Sequence, residues 1–112
     1  MSSIDKSTLF VYGTLLDPAF RERLLGHPVG SRPARLDGYR IARGRHFYLA
    51  AAPDARADGL LLLDLSADDF ATLDRYEEVP HLYTREPAEA LAPSGEKLRC
   101  WVYMPTAALL EG

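Results

Sequence analysis

The sequence predicts a single α+β domain, residues 1–112, built as a small, mainly antiparallel β-barrel flanked by short helices. Two observations carry this prediction. Five or six short segments have the composition of strands but only two have that of helices, and the chain shows no regular strand–helix–strand alternation. A partly closed barrel is the usual way for so small an antiparallel sheet to protect its edges.

The first elements are a strand and a helix separated by a glycine-containing loop. Leu9–Tyr12 forms a short apolar run that suits a buried strand, and it stops at Gly13. A helix is predicted from Asp17-Pro18, an N-cap residue followed by proline at the first helical position, to a stop at Gly26.

The remaining segments alternate less regularly. A second helix is predicted over residues 67–77, because Ser66 to Asp69 resembles a capping box, and Pro80 prevents its extension. Residues 92–95 have turn composition and join the last two strands as an antiparallel hairpin, and residues 106–112 favour a final helical turn. The other predicted strands are Leu36–Ile41, Phe47–Ala52, Leu60–Leu65, Leu82–Ala88 and Leu98–Met104.

Composition argues against several classes of partner and cofactor. The net charge of −3 gives no general attraction to nucleic acid or to anionic membranes, and no apolar run is long enough to span a bilayer. The single cysteine, Cys100, and three scattered histidines predict neither a disulfide nor a metal site. Because residues 1–7 lack an apolar signal-peptide core, we expect a cytoplasmic protein.

The loop Tyr12-Gly13-Thr14-Leu15 is the first candidate site. A strand that ends in Gly-Thr leaves backbone N–H groups without sheet partners, and these groups need water, a side chain or a ligand. The loop is therefore a candidate cradle for an anion or a carbonyl group. An ordinary turn after a strand is the alternative.

Glu77 is the second candidate. Phe70, Leu73 and Glu77 share one face of the predicted helix, so this carboxyl points inward while Asp74 can face water. Burial would raise its pKa and suit it to proton transfer. The alternative is a structural ion pair between Glu77 and Arg85 at the edge of the core.

Other polar and aromatic residues have weaker claims. Arg40, Arg43 and Arg45 are expected to form a solvated rim, with a substrate carboxylate as their alternative partner. Tyr83 and Tyr103 are expected to be core aromatics whose hydroxyl groups reach the surface. Cys100 lies within a predicted strand and is expected to be buried.

Taken together, the motifs resemble the gamma-glutamylcyclotransferase-like family, which includes AIG2-like proteins and gamma-glutamylamine cyclotransferases. The resemblance covers nearly the whole chain. It rests on segments in the family's order: Phe10-Val11-Tyr12-Gly13-Thr14-Leu15, Asp58-Gly59-Leu60-Leu61, Leu73-Asp74-Arg75-Tyr76-Glu77, Tyr83-Thr84-Arg85 and Trp101-Val102-Tyr103.

The resemblance implies a cofactor-independent enzyme that acts on a small gamma-glutamyl molecule and forms 5-oxoproline. It assigns substrate binding to Tyr12, Gly13, Thr14 and Leu15, and acid–base catalysis to Glu77. The chain departs from the family's pattern at Glu78, where many members have glycine. A binding protein without turnover and a gamma-glutamyl amide hydrolase are the alternatives, and the sequence does not predict the leaving group or the oligomeric state.

Overall fold

Five β-strands close into a barrel in the computed structural model, which describes residues 7–111. The strands are β1 (Leu9–Val11), β2 (Ser31–Arg43), β3 (Phe47–Leu62), β4 (Tyr83–Leu91) and β5 (Lys97–Pro105). The helices are a 3₁₀ turn (Thr14–Leu16), α1 (Pro18–Leu25), α2 (Ala67–Tyr76) and α3 (Ala107–Glu111). The prediction that residues 1–7 are not a signal peptide concerns a segment that lies, except for Ser7, outside the described residues. Gly112, the last residue of the predicted C-terminal helical turn, also lies outside them.

The barrel is mainly antiparallel, which confirms the predicted fold class. Its strand order is β1-β3-β2-β4-β5, and it closes where β1 runs parallel to β5, with Leu9 opposite Trp101. The other strand pairs are antiparallel. β1 is only three residues long, yet it closes the barrel and leads directly into the 12–15 loop.

The prediction of two separate strands, Phe47–Ala52 and Leu60–Leu65, is wrong. One continuous strand, β3, spans the interval because it pairs along nearly all of β2. The polar sequence around Asp54 falls where the register shifts, between Asp37 and Tyr39 of β2. The sequence of this irregularity looks like that of a loop, because it contains a proline, Pro53, and because Pro53 and Asp54 are exposed to solvent.

Apolar side chains pack on both sides of the sheet. One cluster fills the barrel around Phe10, Leu49 and Leu61, and another packs α2 against the outside of β1 and β3 through Leu73 and Leu62. Gly59 lies at a close approach of β3 to β1, where a Cβ atom would collide with the Val11 carbonyl oxygen and the Phe10 ring.

The helix ends follow the predicted signals. Asp17 caps α1, whose last turn ends at Gly26 with φ of 82°. Ser66 and Asp69 form a reciprocal capping box at the start of α2. Within residues 7–111, no helix is long and apolar enough to cross a membrane. The cytoplasmic location stays a prediction.

Candidate active site

A cavity of about 460 Å³ opens between the end of β1, the end of α2 and the β2–β3 turn. It brings together the two candidate regions, the Tyr12–Leu15 loop and Glu77, which lie far apart in the sequence. The cavity is also lined by Arg43, Arg45, His46, Phe47, Tyr76, Glu78, Tyr83 and Tyr103.

The 12–15 loop turns abruptly after β1. Gly13 leads into the 3₁₀ turn, and its carbonyl accepts a hydrogen bond from the N–H of Leu16 at 3.0 Å. The N–H groups of Thr14 and Leu15 belong to the first turn, where a helix has no internal acceptor for them. Phe47 packs against Gly13, so a Cβ atom at residue 13 would lie 3.4 Å from the Phe47 ring.

Arg21 holds this loop from behind, a role that the sequence did not predict. Its side chain is buried, and Nη1 donates to the carbonyl oxygens of Leu15 and Leu16 at 2.9 and 3.0 Å. These bonds turn the loop's carbonyl groups toward α1. An arginine within an otherwise weakly amphipathic helix is the only sequence signal for this contact.

Glu77 is the C-terminal cap of α2, one residue beyond the helix end. Its N–H donates to the Leu73 carbonyl at 2.9 Å, and its half-buried side chain lines the cavity. Burial raises the pKa of Glu77 from 4.5 to about 7. Its position at the negative end of the helix dipole favours the protonated form as well.

The alternative ion pair between Glu77 and Arg85 is absent from the described residues. Arg85 instead binds Asp74, with Nε–Oδ1 at 2.9 Å and Nη2–Oδ2 at 3.2 Å. The expectation that Asp74 faces water is also wrong, because Asp74 is half-buried and accepts a hydrogen bond from the Tyr103 hydroxyl at 2.7 Å. Helical spacing alone did not reveal that β4 and β5 supply donors to this side of α2.

Three tyrosines surround Glu77, and their hydroxyl groups donate elsewhere. Tyr12 donates to the Tyr103 carbonyl at 2.9 Å, Tyr83 to the Phe47 carbonyl at 2.6 Å, and Tyr103 to Asp74. The Tyr83 and Tyr103 rings are buried as predicted, but the prediction that their hydroxyls reach the surface is wrong. Burial, followed by the nearby Glu77 carboxylate, raises the pKa of Tyr83 to about 12, so this phenol stays neutral.

A side-chain contact joins the 12–15 loop to the end of α2. The hydroxyl groups of Thr14 and Tyr76 lie 3.0 Å apart, and the Tyr76 ring packs against Phe20 of α1 with ring centroids 5.5 Å apart. The 12–15 loop and the end of α2 are thereby linked next to Glu77.

The turn after Glu77 keeps a glycine-like backbone in spite of the departure from the family's pattern. Glu78 has φ of 53°, a left-handed conformation that glycine adopts most easily. Its carbonyl accepts from the N–H of Leu82 at 2.9 Å, which stabilises the turn. The chain therefore forms the turn with a residue that is less suited to it.

Two members of the predicted arginine rim reach the cavity. Arg43 and Arg45 line it, and Arg40 does not. Cys100 is buried, as predicted, and burial raises its pKa to about 11, which keeps the thiol protonated. In the part of the chain that the structure describes, no three His, Cys, Asp or Glu side chains are grouped to hold a metal ion.

The small closed barrel, with a cavity between the loop that follows β1 and the glutamate that follows α2, is the arrangement to compare with known protein families. Residues 9–111 match the family described as gamma-glutamyl cyclotransferase, AIG2-like. The chain belongs to this family.

Solved structures have the same fold at low sequence identity. A solution structure of an Arabidopsis thaliana protein is 22% identical, with a TM-score of 0.82, and the match covers 96% of this chain and 73% of that one. A gamma-glutamyl cyclotransferase is 15% identical, with a TM-score of 0.78 and coverages of 88% and 66%. An AIG2-like protein from Mus musculus is 21% identical, with a TM-score of 0.69 and coverages of 91% and 78%. No curated protein matches the sequence.

Proposed function

We propose that this protein is a gamma-glutamyl cyclotransferase that releases an amine or amino acid from a gamma-glutamyl conjugate and forms 5-oxoproline. The observation that carries the proposal is the position of Glu77, a half-buried carboxyl that lines the same cavity as the Tyr12–Leu15 loop. A cavity that served only to bind a ligand would have little need for a carboxyl with a pKa of about 7.

The proposed reaction is an intramolecular acyl transfer. The α-amino nitrogen of the substrate attacks its own γ-carbonyl carbon, the new C–N bond closes a five-membered ring, and the bond to the leaving nitrogen breaks. Two protons pass overall from the α-ammonium group to the leaving amine, and Glu77 carries them one at a time. Since the nucleophile belongs to the substrate, holding it in a folded conformation supplies much of the rate.

The environment of Glu77 supports its role as both base and acid. Among residues 7–111, no group donates a hydrogen bond to its carboxyl, so neither protonation state is locked in place. At neutral pH a group with a pKa of about 7 is present in both forms. The tyrosine hydroxyls beside it donate hydrogen bonds to other acceptors, so the Glu77 carboxyl is available to the substrate.

The 12–15 loop is suited to hold the gamma-glutamyl group. The N–H groups of Thr14 and Leu15 can donate to the substrate carboxylate or to the oxyanion that develops at the γ-carbonyl. Arg21 fixes the loop by binding the carbonyl oxygens of Leu15, its last residue, and of the adjacent Leu16, so the donors need little reorganisation when substrate binds.

The test compares wild type with Glu77→Gln, using Glu78→Gln as the matched control. Each protein is incubated with a panel of gamma-glutamyl amines and dipeptides, and 5-oxoproline and free glutamate are quantified. We expect wild type and Glu78→Gln to form 5-oxoproline, and Glu77→Gln to lose about a hundredfold or more in rate while it remains folded.

Each other outcome has a definite meaning. Binding without any product would make the protein a ligand-binding member of the family. Release of glutamate in place of 5-oxoproline would make it a hydrolase. Full activity of Glu77→Gln would refute the assignment of the acid–base residue.

A further inference from the structure

The β2–β3 turn contributes a cationic wall to the cavity. Arg43 ends β2, Arg45 lies in the turn, and both side chains are exposed. The guanidinium carbon of Arg43 lies 5.1 Å from the centroid of the Phe47 ring, and Phe47 in turn packs against Gly13. Arg43 is thus held close to the loop proposed to bind the gamma-glutamyl group.

Neither arginine has a carboxylate partner within the described residues. Three other arginines are paired, Arg32 with Glu96, Arg35 with Asp37 and Arg85 with Asp74. Glu78 lines the same cavity, and no ion pair between it and the turn is present among the described residues. Within residues 7–111, two guanidinium groups without a carboxylate partner therefore line the cavity, and one of them, that of Arg43, lies over the Phe47 ring.

We propose that Arg43 and Arg45 bind a carboxylate on the leaving group, so that conjugates releasing an amino acid are preferred over conjugates releasing an uncharged amine of the same size. The inference rests on the proposed function. Guanidinium groups bind carboxylates through paired N–H donors and keep their charge at all relevant pH values. The reacting part of the substrate must reach half-buried Glu77, which leaves the exposed turn for the departing portion.

The experiment uses gamma-glutamylalanine and gamma-glutamylalaninamide, which differ only in carboxylate against carboxamide. We measure kcat/KM for both with wild type, Arg43→Gln, Arg45→Gln and the double variant. Arg40→Gln is the matched control, since Arg40 is exposed on the same strand and does not line the cavity. Dissociation constants for both compounds are measured with the same arginine changes made in the Glu77→Gln background.

We expect wild type to prefer the carboxylate compound by about tenfold in kcat/KM, the size of one charge-assisted contact. The double variant should lose this preference, Arg40→Gln should retain it, and added salt should weaken it. The dissociation constants should follow the same order.

Equal kcat/KM values for the two compounds in wild type would overturn the inference. So would an equal fall for both compounds in the double variant, because the arginines would then bind the gamma-glutamyl carboxylate that both share. If neither these two compounds nor the panel of gamma-glutamyl amines and dipeptides yields 5-oxoproline, the proposed function fails. The binding measurements then decide the inference separately, and no preference for the carboxylate compound would refute it.

Discussion

Replacing Glu77 by glutamine should stabilise the folded protein at alkaline pH. The pKa of Glu77 is about 7 in the folded chain, against 4.5 in its ordinary state. Because one pKa unit corresponds to about 1.36 kcal/mol, full expression of this difference would amount to about 3 kcal/mol. Partial contact of the side chain with solvent reduces the expected effect to about 1–2 kcal/mol.

The sign follows from proton linkage. Between its unfolded and folded pKa values, Glu77 binds more protons in the folded state than in the unfolded state. The free energy of unfolding therefore falls as pH rises through this interval, and the full cost is present above about pH 7. Glutamine has nearly the same shape and does not ionise, so this component disappears in the variant.

Urea unfolding of wild type, Glu77→Gln and Glu78→Gln at about pH 4 and about pH 8 measures the effect. We expect the stability of Glu77→Gln relative to wild type to improve between the two pH values, while Glu78→Gln shows no such change. A constant difference between Glu77→Gln and wild type at both pH values would refute the argument that burial opposes ionisation of Glu77.

Three further substitutions test the framework of the site. Asp74→Ala should cost about 2–4 kcal/mol in urea unfolding, because the buried Tyr103 hydroxyl loses its acceptor and a partly exposed ion pair is lost. The control Asp68→Ala changes an exposed residue in the first turn of α2 and should cost about 1 kcal/mol or less, so equal losses would contradict this. Gly59→Ala should cost about 3 kcal/mol or more, since its Cβ would collide with backbone, and a thermal shift of a degree or less would disprove the clash. Arg21→Met should raise KM for gamma-glutamyl substrates more than it lowers kcat, and an unchanged KM would argue against its positioning of the loop.

The parts of the fold that local signals specify were predictable from the sequence. The side chains of Asp17 and Ser66 accept hydrogen bonds from free N–H groups at the starts of α1 and α2, and Gly26 adopts the left-handed conformation that ends α1. The continuity of β3 was not predictable in this way. It depends on pairing with β2 across a register shift, and exposed polar residues within such a shift look like a loop.

In the candidate site, too, the residues marked by local sequence patterns were predicted and those placed by contacts between elements were missed. Helical spacing placed Glu77 on the inward face, and the strand end marked the 12–15 loop, so both were found by local patterns. Arg21 and the partners of Asp74 were missed because their contacts join residues from different elements. Such contacts depend on tertiary packing, which a periodicity within one element does not contain.

The two ends of helix α2 shift the pKa values of two carboxyl groups in opposite directions. At its start, burial favours the protonated form of Asp69, but hydrogen bonds from Ser66 and His27 outweigh it and hold the pKa of Asp69 below its usual range. Just beyond its end, the half-buried carboxyl of Glu77 receives no hydrogen bond from residues 7–111 and lies at the negative end of the helix dipole, so its pKa is raised. The first carboxylate stabilises the helix because it stays ionised. The second can exchange protons near neutral pH, because its carboxyl is partly buried and no described residue donates the hydrogen bonds that would favour its ionised form.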